Sequence, residues 1–469
     1  MPTLSQAIPR PTRRRETIAR RKSRNADLVV LGGAVALRFL GGPFADLAFL
    51  VVAAYAISSI PCAIKGTVVT WFFIMFNPGI AEGGSLSAEL RYLVFLSLGL
   101  SVCFRVTWTK VSFAPSRPLG AMLLLGLFLL LHSLLFSTFP LVSLLKAASW
   151  TWVLGALLIG WSSLDLRQSD ILESEIYRML VLIILLGLPL LLSPLGYFRN
   201  GSGFQGLLNQ PQVFGVFTAL VGAWTIARLF QESNPSLRNL IFGGLCFVLV
   251  FLSQTRTGGV SLVFGLGLGV LFAPLIVRNP RKVALPGLRS PVLWTFLLLG
   301  ALFGIALSSV LANLVMQFLT KFGRAYEVSG LVDAYMQSRG SLIELMWLNI
   351  QADWLIGLGF GIASIPSEMV IQTDPMLGLP VQAAVEKGTM PLAILEEVGI
   401  FGFLLTVGFL AVLVRAAGRN GVVAVSVLLT ALLVNFGESI FFSPGGMGML
   451  LLVLVAWAAR QRVNGKIRS

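Results

Sequence analysis

The fold turns on Pro391-Leu392-Ala393-Ile394-Leu395-Glu396-Glu397-Val398-Gly399-Ile400-Phe401-Gly402-Phe403-Leu404-Leu405-Thr406-Val407-Gly408-Phe409-Leu410-Ala411-Val412-Leu413-Val414. Apart from two adjacent carboxylates and one threonine, every residue is apolar or glycine, and an α-helix of this length crosses a hydrocarbon slab of about 30 Å. Polar and apolar residues do not alternate, so this is not the ~10-residue strand of a lipid-facing barrel. Leu119–Leu131 and Leu180–Leu192 read the same way. The sequence therefore implies an all-α, polytopic transmembrane bundle.

Composition agrees. Of 469 residues 56% are hydrophobic and 12% charged, and mean hydropathy is +0.87, where a soluble domain carries about 25% charge. Apolar runs between charged or Pro/Gly-rich breaks predict helices near 27–41, 44–62, 66–77, 91–109, 118–138, 143–163, 178–195, 211–229, 238–253, 258–277, 291–311, 391–415, 420–436 and 444–460. These amount to about 12–14 crossings. Residues 312–390 form one long loop between them, with an amphipathic pattern over Ser341–Ile356 that predicts a short interfacial helix.

Charge sets the expected orientation. The net charge is +15, and basic residues crowd the 1–26 tail and the 461–469 tail. Basic cytoplasmic tails follow the positive-inside rule, with anionic lipid headgroups rather than nucleic acid as the partner. Both termini are then cytoplasmic, the bundle occupies 27–311 and 391–460, and the 312–390 loop lies outside. In a bacterium that outside is the periplasm. Three cysteines without paired spacing indicate neither a disulfide framework nor a metal site.

On the outer side the arginines Arg199, Arg256, Arg324 and Arg339 are anomalous. A guanidinium is a permanently charged fork of donors matched to phosphate, although an interfacial arginine can also simply snorkel. Arg256 lies among hydroxyls and glycines at a helix start, where backbone N–H groups favour anions. Glu396 and Glu397 stand in a membrane helix, where an ionisable group is costly and tends to be functional. Glu438, in Asn435-Phe436-Gly437-Glu438-Ser439, is similar. The deep ionisable groups are few: Arg38, His132 and Lys146. His132, the only histidine, reads as a packed imidazole. No spacing of ligands implies a metal, and no cofactor is expected.

Four segments then carry a family resemblance. Leu207-Leu208-Asn209-Gln210-Pro211-Gln212-Val213-Phe214-Gly215 resembles the Asn/Pro-containing helix opening of the bacterial O-antigen ligase and O-antigen polymerase superfamily. Ser253-Gln254-Thr255-Arg256-Thr257-Gly258 is similar to its Ser-x-Ser-Arg-Gly turn. Ser338-Arg339-Gly340, Trp347 and Gly357-Leu358-Gly359-Phe360-Gly361 resemble its outer-loop pattern, and Glu397-Val398-Gly399-Ile400-Phe401-Gly402 its next helix opening. Ligases of the family carry a histidine shortly before that last motif, and the corresponding position here is Gly388.

The resemblance implies a glycosyltransferase of the cytoplasmic membrane. Lacking the ligase histidine, the chain leans towards a polymerase of exopolysaccharide or O-antigen repeat units carried on polyprenyl pyrophosphate, with ligase-type transfer as an alternative. By the same resemblance Arg256 and Arg339 stabilise the departing diphosphate, and Glu397, or else Glu386, handles the acceptor hydroxyl. Arg199, Asn209, Gln212, Trp347, Glu386, Lys387 and Glu438 complete the expected substrate site, and other polysaccharide synthesis and export proteins are expected partners. Two readings from other classes stand beside it: a flippase or transporter, which would need paired charges deep in the bundle, and a structural subunit of a synthesis complex.

Overall fold

The computed structural model describes residues 13–108, 116–197, 203–277, 279–306, 331–374, 378–383 and 385–461. Its helices follow the apolar runs, except that the first begins in the basic tail, at Arg13 rather than the predicted 27: α1 Arg13–Leu40, α2 Pro43–Ser58, α3 Ile60–Ile74, α4 Ser87–Trp108, α5 Arg117–Phe136, α6 Pro140–Ser163, α7 Leu166–Gly187, α8 Pro211–Gln231, α9 Leu237–Leu252 and α10 Arg256–Ile276. After the single turn α11 (Pro280–Val283) come α12 Pro291–Ala306, α13 Leu331–Ala352, α14 Met390–Asn420, α15 Val422–Val434 and α16 Gly448–Ala458. The protein is thus an all-α helical bundle. Seven of these helices are long and apolar enough to cross a membrane.

Local chemistry explains the boundaries. Prolines open α2, α3, α5, α6 and α8 within the first two positions, where the missing N–H costs nothing. Helix α7 begins at Leu166, well before the predicted 178. Asp165 accepts from Gln168 N at 2.6 Å and Gln168 Oε1 accepts from Asp165 N, a reciprocal cap that starts the helix in its charged stretch. Helix α13 likewise extends to Leu331, ten residues ahead of the predicted 341. The amphipathic pattern marked only its apolar end. The remaining part of the expected outer loop, 312–330, lies outside the described residues, as does Arg324.

Packing relies on small residues where helices come closest. A Cβ at Gly265 of α10 would overlap Thr430 of α15, and one at Gly269 would overlap Ser426. Two glycines four apart therefore let these backbones approach, as in other membrane helix pairs. Trp71, Trp150, Trp161, Trp224 and Trp457 are fully buried and fill the centre. Leucines along α5, α9 and α12 are exposed instead, which is the surface a hydrocarbon solvent covers.

Ionic networks tie the end of the bundle where α3 begins. Lys65, buried in α3, pairs with Asp27 at 2.5 Å and Glu175 at 3.1 Å. Glu173 accepts from Arg228 (2.6 Å), Arg460 (2.7 Å) and Trp457 Nε1 (3.0 Å). Each charge here has a partner of opposite sign, as buried charges require. At the opposite end α3 stops and α4, α6 and α14 begin, and there a short antiparallel hairpin, β1 Ile371–Thr373 with β2 Pro380–Ala383, lies against the bundle.

Candidate functional site, a cation-lined cavity

Helix α14 is broken in its third turn. Val398 and Gly399 leave helical geometry, and Gly399 has φ 63°, a left-handed conformation that favours glycine. A Cβ there would also overlap the Leu355 carbonyl. Into this break the chain after α13 is drawn by backbone hydrogen bonds. Leu358 N donates to Glu396 O (3.0 Å), Gly359 N to Glu397 O (2.8 Å) and Ile400 N to Trp354 O (3.0 Å). From the other side His132 Nε2 donates to Ile356 O at 2.8 Å and Thr138 Oγ1 to Leu358 O at 2.7 Å. The lone histidine thus positions a loop.

The fold gives the two adjacent glutamates different surroundings. Glu396 is fully buried, accepts from Asn349 Nδ2 at 2.7 Å and pairs with Lys387, whose ammonium also donates to Ser364 Oγ. Glu397 Oε2 accepts from Gly361 N at 2.6 Å, so the Gly357–Gly361 loop grips one oxygen of this carboxylate. Only Glu397 of the two lines the adjoining cavity.

That cavity has a volume of about 460 Å³, within the usual range for small-molecule sites. Its walls are the end of α3, the starts of α4 and α6, the hairpin strand β2, and the loop over 439–446. The charged side chains lining it are Arg91, Lys146, Lys387 and Glu397. Asn209 joins them. Its N–H donates to Met75 O at 2.8 Å, which fixes it beside α3, and its Oδ1 is buried without a hydrogen-bond partner among the described residues.

Of the residues singled out in the sequence, the structure brings Asn209, Lys387 and Glu397 into this cavity. Arg339 lies next to it. Arg339 Nη2 donates to Glu438 Oε1 at 2.9 Å, Nη1 stands 3.6 Å from Glu386, and Arg339 is not among the lining residues. Arg256 is the half-buried first residue of α10, after a turn in which Gln254 takes φ 55° and Thr255 Oγ1 donates to Pro211 O at 3.0 Å. A Cβ at Gly437 would overlap Thr257, so this turn abuts the loop bearing Glu438. Gln212 and Trp347 are exposed, and Arg199 lies outside the described residues.

Two lining cations were not assigned to the site from sequence. Arg91 sits where an apolar run begins and is indistinguishable there from a snorkelling boundary residue. Lys146 left a signal, a lone cation inside the apolar run of α6, which reads equally as a transporter's deep charge. Among the described residues no three His, Cys, Asp or Glu side chains converge as metal ligands.

In chemical terms the site is a pocket with cations on several walls and one carboxylate, held through Oε2 by Gly361 N. Such a pocket can hold an anion and take a proton from a neighbouring hydroxyl. No protein-family model and no curated protein matches the chain.

Proposed function

We propose that the chain is a membrane glycosyltransferase that polymerises polyprenyl-diphosphate-linked repeat units of an exopolysaccharide or O-antigen, at the outer face of the cytoplasmic membrane. The observation that carries this reading is Glu397, held by Gly361 N in a cavity whose other charged lining groups are Arg91, Lys146 and Lys387. The motif resemblance supplies the substrate class.

In the proposed reaction the acceptor sugar's hydroxyl oxygen attacks the anomeric carbon of the donor. The bond from that carbon to the diphosphate oxygen breaks, and the diphosphate leaves with the electron pair. Glu397 takes the hydroxyl proton. Cations at this end of the bundle meet the charge growing on the leaving group, a form of stabilisation commonly worth about 3–4 kcal/mol for each donor removed.

The test is transfer by purified protein supplied with a polyprenyl-diphosphate glycan. Elongated glycan is the expected product, and Glu397→Gln is expected to lower the rate by roughly 10²–10⁴-fold, the usual range for general-base assistance. Glu386, whose side chain is 80% exposed, is expected to matter less than about tenfold when changed to Ala, below that range. Carrier movement without new linkages would make the protein a flippase, and transfer to a lipid A core would make it a ligase.

A further inference from the structure

We propose that Arg91 and Lys146, rather than Arg339, receive the phosphoryl charge of the ligand in this cavity. The residue assignment rests on the proposed glycan-diphosphate reading only for the identity of the ligand.

Existing partners argue for it. Arg339 is already bound by Glu438 and Glu386, and Lys387 by Glu396. Arg91 is buried, at 8% exposure, yet no described carboxylate comes within ion-pair distance. Its terminal nitrogens donate to neutral carbonyls, Gly445 O at 2.9 Å and Val381 O at 2.8 Å, while its Nε is buried and unbonded. Nη2 also reaches Tyr92 Oη at 3.4 Å, and the guanidinium stands 4.9 Å from the centre of the Tyr92 ring, so every partner is neutral, and charge in a low-dielectric setting calls for a counter-charge.

Lys146 likewise has no described carboxylate within ion-pair distance, Glu397 acting on it only from farther off. Its Nζ lies 5.0 Å from the centre of the Phe360 ring, and no described group hydrogen-bonds to it or forms an ion pair with it. Across Arg91, Lys146 and Lys387 stand two carboxylates, Glu396 behind Lys387 and Glu397 on the wall, so the site carries an excess of positive charge. The unbonded Asn209 Oδ1 adds a requirement for a donor. A ligand that carries both a phosphoryl group and a hydroxyl meets both demands.

Inorganic pyrophosphate is the probe, titrated calorimetrically into the full-length protein in detergent at low ionic strength, since salt screens such sites. The Lys146 ammonium makes no described hydrogen bond, and the bond its carbonyl accepts from Ser149 Oγ does not depend on the side chain, so its replacement leaves the bundle's own bonding intact. Lys146→Met is expected to weaken binding by at least about tenfold, equivalent to about 1.4 kcal/mol. Lys146→Arg is expected to retain binding, and Arg339→Gln to weaken it less than Lys146→Met does. Binding of pyrophosphate by Lys146→Met equal to the parent protein excludes a free phosphate as the source and leaves the lipid-borne one to be tested. Repeating the titration with nanodiscs containing polyprenyl diphosphate separates the sources: Lys146-dependent binding only in that arm identifies a lipid headgroup, and dependence in neither arm overturns the proposal. Loss of glycan transfer with pyrophosphate binding intact would count against the proposed reaction and leave this assignment standing.

Discussion

Arg339 Nη2 lies 2.9 Å from Glu438 Oε1, joining α13 to the loop between α15 and α16 across 99 positions of sequence, with both side chains only 14% exposed. Two residues that sequence reading placed separately in a substrate site are thus each other's counter-charge. In a largely buried pair of this kind, deleting one member leaves the other charge uncompensated. Replacing Glu438 with Gln, Arg339 with Gln, and both together is expected to give a coupling energy of about 0.5–3 kcal/mol in a double-mutant cycle of unfolding. Additive single effects would show that the pair holds nothing together.

Lys387 and Glu396 form the more deeply buried pair, with side chains 2% and 0% exposed. Glu396→Ala strands an ammonium beside Asn349 and Ser364, and is expected to destabilise the protein by about 3–5 kcal/mol. Lys387→Met combined with Glu396→Leu is expected to recover most of that loss, since both charges are then gone. Thermal unfolding in detergent measures both. A double variant no more stable than Glu396→Ala would mean that the hydrogen bond to Asn349, not charge balance, is what matters.

Gly399 holds the break in α14. Alanine there pays about 1–3 kcal/mol for a positive-φ, extended-ψ backbone essentially confined to glycine and collides with the Leu355 carbonyl. Gly399→Ala is expected to lower the melting temperature and, by shifting the segment that bears Glu397, to reduce transfer as well. Gly408, with nothing within 4 Å of an added Cβ, is the control, and Gly408→Ala is expected to leave both nearly unchanged. Equal behaviour of the two variants would remove the break from the site's architecture.

Orientation is tested by labelling. Ser367 is exposed beside the hairpin, at the cavity end of the bundle. With Cys62, Cys103 and Cys246 replaced, Ser367→Cys is expected to react with an impermeant thiol reagent added to intact spheroplasts. Reaction only after lysis would put the cavity on the cytoplasmic side and reverse the expected topology.

How much of this was legible beforehand differs by level. The apolar runs located the helices because a backbone in hydrocarbon must satisfy its own hydrogen bonds, and the helix is the local way to do so. Boundaries inside charged segments were less visible: the start of α7 depends on a cap between Asp165 and Gln168, and its charged turn is tolerated because Arg228 and Arg460 reach Glu173. Asn209, Lys387 and Glu397 stood out through motif and position, and they do share a cavity. Arg91 did not, because a cation at a helix start has the same local pattern whether it faces headgroups or a pocket.

The sequence by itself determined that this chain is a helical membrane bundle, since runs of apolar residues about twenty long have few other stable states in or out of lipid. Only the tertiary structure decided which of two neighbouring glutamates is neutralised and which is left facing a cavity. Glu396 and Glu397 are chemically identical and adjacent, and what separates them is the arrival of Lys387, Asn349 and Gly361 from other segments. Those meetings depend on the helix break at Gly399 and on long-range packing, neither of which leaves a periodic trace in the chain.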